Sequence, residues 1–354
     1  MTRISWRELF PSKFSFIIFV VYILLFVNQG ILVTASQQSN NKYDYNIVTV
    51  VLCTEFLKLL LSCILYCREN SPANLLGEVV SNKKVLVLYF LPAFLYCLYN
   101  NLAFLNLSTF DPTTYYLLLQ LRVVVTGILF QLIFGKLLSR KQWLSLIILT
   151  IGCMLKQIPM GQEETAHTTS DSTDTQKSQS LNLSNAVFII VQIFCSCFAG
   201  VYNEYLLKNQ GSNVNIFVQN IFMYLDSIIC NLIVLIINGS IATAFQYDNV
   251  IKIMHYKVLL VMFNNATVGI VTSFFLKTLN SILKTFASAM ELALTAVFSL
   301  ILFAIPIHLN TALAIATVLY AIYLYSQNPI NNVTKHEEKT IQEENEELLQ
   351  MEEV

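Results

Sequence analysis

Residues 114–134 read TYYLLLQLRVVVTGILFQLIF, and only Arg122 among them carries a charge. A helix rises about 1.5 Å per residue, so this stretch reaches about 30 Å, the thickness of a bilayer's hydrocarbon core. In hydrocarbon every backbone N–H and C=O must be paired within its own segment, and the stretch therefore predicts a membrane-spanning helix. A guanidinium inside such a helix is expensive unless it faces a cavity or a partner. Arg122 has no carboxylate within its own helix, and a phosphate is an apt bidentate partner for it.

Nine further runs pass the same test: Ser15–Val33, Asn46–Cys67, Val85–Leu105, Lys141–Ile158, Ser184–Leu207, Ile216–Asn238, Tyr256–Leu276, Leu283–Ala304 and His308–Ser326. The chain of 354 residues is 55% hydrophobic and 12% charged, against roughly 45–50% and 25% in a soluble domain. The expectation is an all-α membrane protein of ten spans. Net charge is −1 and no basic stripe exists, which excludes a nucleic-acid partner. The eight cysteines lie in or beside apolar runs with no CxxC pair and read as packing residues.

Polar segments divide the chain. Residues 159–183 are rich in Ser, Thr, Gln, Asp and Glu and bury too little to offset the entropy of ordering, so they read as a flexible lumenal linker. The linker separates 15–158 from 184–326, five spans each, preceded by a cytosolic N-terminus (1–14) and followed by an acidic cytosolic tail (327–354). An odd number of helices per half makes the halves enter the membrane in opposite senses, an architecture that places a transport site between them. With the N-terminus cytosolic, cytosolic segments hold fourteen of the 21 Lys and Arg and lumenal segments five, the positive-inside pattern with both termini in the cytosol. Asn106, Asn182 and Asn238 begin sequons expected in lumenal loops.

Polar groups inside the spans are the candidate site. Glu55 and Lys58 are three apart and share a helix face, as a structural pair or as gating or substrate-facing groups. Asn100 and Asn101 follow Tyr96 and Tyr99; amides match a nucleobase edge and tyrosine rings supply stacking surface, or the amides bond neighbouring helices. Tyr115 lies seven residues before Arg122, on nearly the same face. Glu204 and Lys208 read as an ordinary i,i+4 pair. Lys277 and Lys284 bracket the turn between spans eight and nine, where they either snorkel or add positive charge for a diphosphate. The four histidines are scattered, with no HExxH and no paired lumenal carboxylates, which argues against an enzyme and against a metal or other cofactor.

NNLAFLNLSTFDPTTYYLLLQLRVVVTGILF (100–130), FAGVYNEYLLK (198–208), VQNIFMYL (218–225) and LKTLNSILKTFASA (276–289), in this order, resemble the nucleotide-sugar transporter family, in the branch of CMP-sialic acid, UDP-galactose and UDP-N-acetylglucosamine carriers. The likeness runs from Lys13 to Gln327, missing only the linker and the tail. It implies a ten-helix drug/metabolite-transporter fold in a Golgi membrane and import of UDP-galactose in exchange for UMP. The alternatives are UDP-N-acetylglucosamine or another nucleotide sugar, or a non-transporting Golgi scaffold. Carried over by motif, the resemblance places nucleotide contacts on Asn100, Asn101, Tyr115, Arg122, Asn220, Tyr224, Lys277 and Lys284. Arg122 stands where the family commonly has Lys, and Asn280-Ser281 where it has Asp-Asn. In the mechanism these residues imply, uracil stacks on tyrosine, the diphosphate meets Arg122 with Lys277 or Lys284, and the sugar meets Asn28, Gln29, Glu55 and Asn220. Rocking of one half then exposes the site to the lumen. Partners are the UDP-sugar, UMP and membrane lipid, with homodimerisation left open.

Overall fold

The computed structural model describes residues 6–36, 47–110, 112–157, 183–239, 241–303 and 309–330. The linker through residue 182, with the Asn182 sequon, and the tail from residue 331 lie outside them. The described residues form helices α1 (Trp6–Leu9), α2 (Lys13–Ser36), α3 (Ile47–Glu69), α4 (Pro72–Ser81), α5 (Lys83–Thr109), α6 (Pro112–Leu119), α7 (Arg122–Phe134) and α8 (Arg140–Gln157). After the linker come α9 (Leu183–Tyr205), a five-residue π-helical turn (Leu206–Gln210), α10 (Ile216–Ile237), α11 (Ile241–Ala244), α12 (Tyr247–Ile253), α13 (Tyr256–Thr278), α14 (Ser281–Phe303) and α15 (Leu309–Ser326).

Among the described residues, nine segments are long and apolar enough to cross a membrane, one of them made jointly by α6 and α7. The protein is thus an all-α, multi-pass membrane protein. The expected run Lys141–Ile158 corresponds to α8, which is eighteen residues long and carries Arg140, Lys141 and Lys156 at its ends; those cations set it apart from the nine. Large apolar side chains face outward in a manner water would penalise. Phe56, Leu60 and Ile64, spaced by one helical turn along α3, are each more than half exposed, which suits a lipid-facing stripe.

The interior is built on large aromatic side chains, Tyr22, Tyr66, Tyr89, Phe222, Phe275 and Phe286 among those fully buried. Helix packing comes in matched sets: α5 against α9 and α13 against α2; α7 against α9 and α14 against α2; α10 against α5 and α13 against α3. The pairs α3 with α10, α7 with α14 and α8 with α15 join a helix from before the linker to one from after it. The α8–α15 contact is the most extensive in the molecule. It is also close: a Cβ added at Gly152 would sit 3.2 Å from Thr317 and Val318 side-chain atoms. α7 ends on Gly135, whose positive φ of 65° supplies the left-handed cap and whose N–H donates to the Gln131 carbonyl at 2.9 Å. All eight cysteines are free.

Candidate functional site

The stretch that reads as one helix over 114–134 is interrupted in its middle. α6 stops at Leu119 and α7 begins at Arg122. Between them the N–H groups of Gln120, Leu121 and Val123 donate three residues back, to the carbonyls of Leu117, Leu118 and Gln120 at 3.1–3.2 Å. Such a tightened 3₁₀-type turn within a span commonly marks a functional hinge. It makes Arg122 the first residue of a thirteen-residue helix, whose N-terminal dipole end adds to the positive potential there. The Arg122 carbonyl accepts from Thr126 Oγ1 at 2.7 Å and from Cys197 Sγ at 3.2 Å, which ties this point to α9.

Two cavities meet at that turn. The first, about 360 Å³, is lined by Arg122 and Thr126, by Tyr96 of α5, by Gln157 of α8, and by Lys284 and Glu291 of α14. The second, about 380 Å³, is lined by Tyr99 and Asn100 of α5 and by Tyr115 and Leu119 of α6. Tyr116, Gln120 and Arg122 border both. Ion pairs within 4.0 Å among the described residues are Glu55–Lys58 and Glu204–Lys208, so neither Arg122 nor Lys284 is in direct contact with a carboxylate. The first cavity thus gathers two cations, Arg122 and Lys284, and one carboxylate, Glu291, an arrangement with the chemistry to attract an anion.

Buried amides hold the walls. Gln192 Nε2 of α9 donates to the Tyr115 hydroxyl at 2.8 Å, and Gln192 Oε1 accepts from Asn106 Nδ2 at 2.7 Å. Asn106 lies inside α5 and is 1% exposed, so the expectation of a lumenal loop there is corrected: this sequon is packed against α9 and holds Gln192. Asn238 lies in the exposed turn that follows α10.

Glu204 has more to do than pair with Lys208. One carboxylate oxygen accepts from Lys208 Nζ at 2.8 Å; the other accepts from the Ser281 N–H at 2.7 Å and from the Ser281 hydroxyl. Lys208 also donates to the Leu279 carbonyl. The α13–α14 turn, and with it the start of the helix carrying Lys284, is thereby fastened to the end of α9. Asn280 caps the same helix start by accepting from the Leu283 N–H at 2.7 Å.

The other expected residues fall outside these two cavities. Asn101 Nδ2 donates to the Cys97 carbonyl at 2.8 Å. Asn28 Nδ2 donates to Asn264 Oδ1, and Asn264 Nδ2 donates to Gln29 Oε1, each at 2.8 Å, which joins α2 to α13. Glu55 and Lys58 are paired at 2.7 Å, with the ammonium 5.5 Å from the centre of the Tyr224 ring. Asn220 is buried, and its Nδ2 has no partner among the described residues. Lys277, in the last turn of α13, is half-buried and borders neither cavity. Gln192 and Asn264 were not expected from sequence; Gln192 is a lone amide inside an apolar run and Asn264 is followed by Asn265, signals that say polar partner without saying which.

The model of the nucleotide-sugar transporter family matches residues 11–326. A UDP-galactose transporter of Drosophila melanogaster, senju, is 58% identical over 353 residues, covering 94% of this chain and 91% of its own. CMP-sialic acid transporter 1 of Oryza sativa subsp. japonica is 29% identical, covering 89% of this chain and 95% of its own. The UDP-N-acetylglucosamine/UDP-N-acetylgalactosamine transporter nstp-4 of Caenorhabditis elegans is 30% identical over 79% of this chain and 84% of its own. A solved protein crystal structure, 11% identical, shares the fold with a TM-score of 0.60 over 90% of this chain and 98% of its own.

Proposed function

Because the chain belongs to the nucleotide-sugar transporter family, we propose that it carries UDP-galactose from the cytosol into the Golgi lumen in exchange for UMP. It is a transporter, not an enzyme. The observation that carries the reading is Arg122 and Lys284 facing one cavity with no carboxylate within 4.0 Å of either among the described residues. In that reading the diphosphate lies between the two cations, and the uracil enters the second cavity against Tyr99 and Tyr115 with Asn100 at its edge. The volumes fall within the roughly 300–1,000 Å³ of small-molecule sites. Asn101, Asn220, Tyr224 and Lys277 join the contacts when the cavity changes shape as the carrier alternates.

The architecture proposed with it is ten spans in two inverted five-helix halves, α8 being the tenth. The matched packing sets support it: exchanging α2, α3, α5, α6–α7 and α8 for α9, α10, α13, α14 and α15 maps each set onto its counterpart. Arg122 and Lys284 then lie on corresponding helices. The cation bias between alternate loops supports cytosolic termini. The senju relative, named as a UDP-galactose transporter, supports the sugar.

The test is uptake of labelled UDP-galactose by the purified protein in liposomes loaded with UMP, with UDP-N-acetylglucosamine and CMP-sialic acid run in parallel. UMP-stimulated uptake of UDP-galactose is expected. Preference for another nucleotide sugar would replace the substrate, and uptake of none would leave the scaffold alternative.

A further inference from the structure

Glu291 is a carboxylate on the wall of the cavity that holds Arg122 and Lys284, and neither a hydrogen bond nor an ion pair engages it among the described residues. It follows Lys284 by seven residues on α14, two turns on, so the two side chains leave nearly the same face roughly 10 Å apart along the axis. That separation matters, because a carboxylate beside the diphosphate would repel it, whereas one two turns away lies a pyranose ring's reach beyond it. The same cavity is also lined by polar side chains, Gln157 of α8 and Ser288, one turn before Glu291 on α14. Neither Lys156 nor Arg122 lies within 4.0 Å of the Glu291 carboxylate, so its oxygens are not occupied by an ion pair among the described residues.

An ionised carboxylate is an acceptor only, with two oxygens and about four lone-pair sites. UDP-galactose offers it a ring of hydroxyl donors; UMP offers none beyond the ribose. Resting on the nucleotide-sugar reading of the site, we propose that Glu291 is a specificity-determining residue that reads the hexose, accepting hydrogen bonds from its hydroxyls at the end of the cavity away from the base. Of the side chains first expected to meet the sugar, Asn28 and Gln29 are engaged by Asn264 and Glu55 by Lys58, and Asn220 lines neither cavity. Glu291 thus distinguishes the incoming nucleotide sugar from the outgoing monophosphate, and a site built around substrate hydroxyls rejects analogues that lack them.

The test compares KM for UDP-galactose and for UMP in proteoliposomes holding wild-type protein, Glu291→Gln or Glu291→Asp, with UDP-deoxygalactoses as further substrates. Glu291→Gln is expected to raise the KM for UDP-galactose about tenfold more than that for UMP. At least one deoxy analogue should lose its disadvantage in that variant, and Glu291→Asp should lie between Gln and wild type. Equal shifts for both substrates, the behaviour of a plain counter-ion for Arg122, would overturn the assignment, as would no shift for either. Wild-type protein that exchanges neither substrate would overturn the transporter reading itself. The rise in Tm on adding UMP shows that each variant is folded; should Glu291→Gln not fold, Glu291→Asp carries the same comparison.

Discussion

Glu204 and Ser281, 77 positions apart in the chain, are joined at 2.7 Å between carboxylate and backbone N–H. This contact fixes the α13–α14 turn to the end of α9, and Lys208 secures the same turn through the Leu279 carbonyl. Glu204 is fully buried, so removing it strands an ammonium and a helix start together. Glu204→Ala should lower stability by about 3–5 kcal/mol, the range for breaking a buried pair. Glu204→Gln keeps an acceptor for Ser281 and should lose less. Thermal unfolding of the detergent-purified variants checks the order; a Glu204→Ala protein as stable as wild type would show that the turn is held by other means.

Arg122 occupies the junction of the two cavities with no carboxylate within 4.0 Å among the described residues. Arg122→Ala should reduce nucleotide exchange about a hundredfold or more, since it removes two charge-assisted bonds. Arg122→Lys keeps the charge, loses the planar fork and should retain about a tenth of the activity. Initial rates in proteoliposomes decide; near-normal exchange by a folded Arg122→Ala variant rejects this phosphate site.

Tyr115, Gln192 and Asn106 form a chain across α6, α9 and α5. Tyr115→Phe leaves Gln192 Nε2 without its acceptor and should cost about 1–3 kcal/mol, with a higher KM for nucleotide because the ring loses its fixed position. Gln192→Leu in the Tyr115→Phe background should recover part of the stability. Additive losses in that double-mutant cycle would show that the two side chains are not coupled.

Glu55 and Lys58 share a single turn of α3 inside the span Thr49–Glu69. Lys58→Met strands the carboxylate and should destabilise by about 3–5 kcal/mol, while Glu55→Gln with Lys58→Met should return most of it. A double variant that is stable but inactive would assign the pair to transport; one that is stable and active would assign it to folding.

Much of the molecule is legible in the sequence because hydrocarbon imposes a single rule, paired backbone in long apolar runs, and the described part of each run falls mainly on a helix or a broken pair of helices. The charge bias and motif order point to the family for the same reason: they are one-dimensional signals. Side-chain pairing is not. Nothing in NNATVG around Asn264 says that its amide answers Asn28 and Gln29, and nothing in TLNSILK separates Lys277 from Lys284, since only the rotation of each helix puts Lys284 on the cavity wall. The break before Arg122 is hidden because Gln120 and Leu121 are ordinary helix formers; packing, not propensity, opens the ladder there.

Gly152 lets α8 and α15 approach so closely that a methyl group added there would press on Thr317 and Val318. One of these helices precedes residues 158–182 and the other follows them, so a motion of everything before that segment against everything after it would have to shear this seam. If that seam holds during transport, the two helices act as a fixed post and the movement falls to the spans around it, with the turn at Gln120–Leu121 as a point of bending. A disulfide introduced across the α8–α15 seam should then leave exchange running, and inhibition by such a bond would show that the post itself moves.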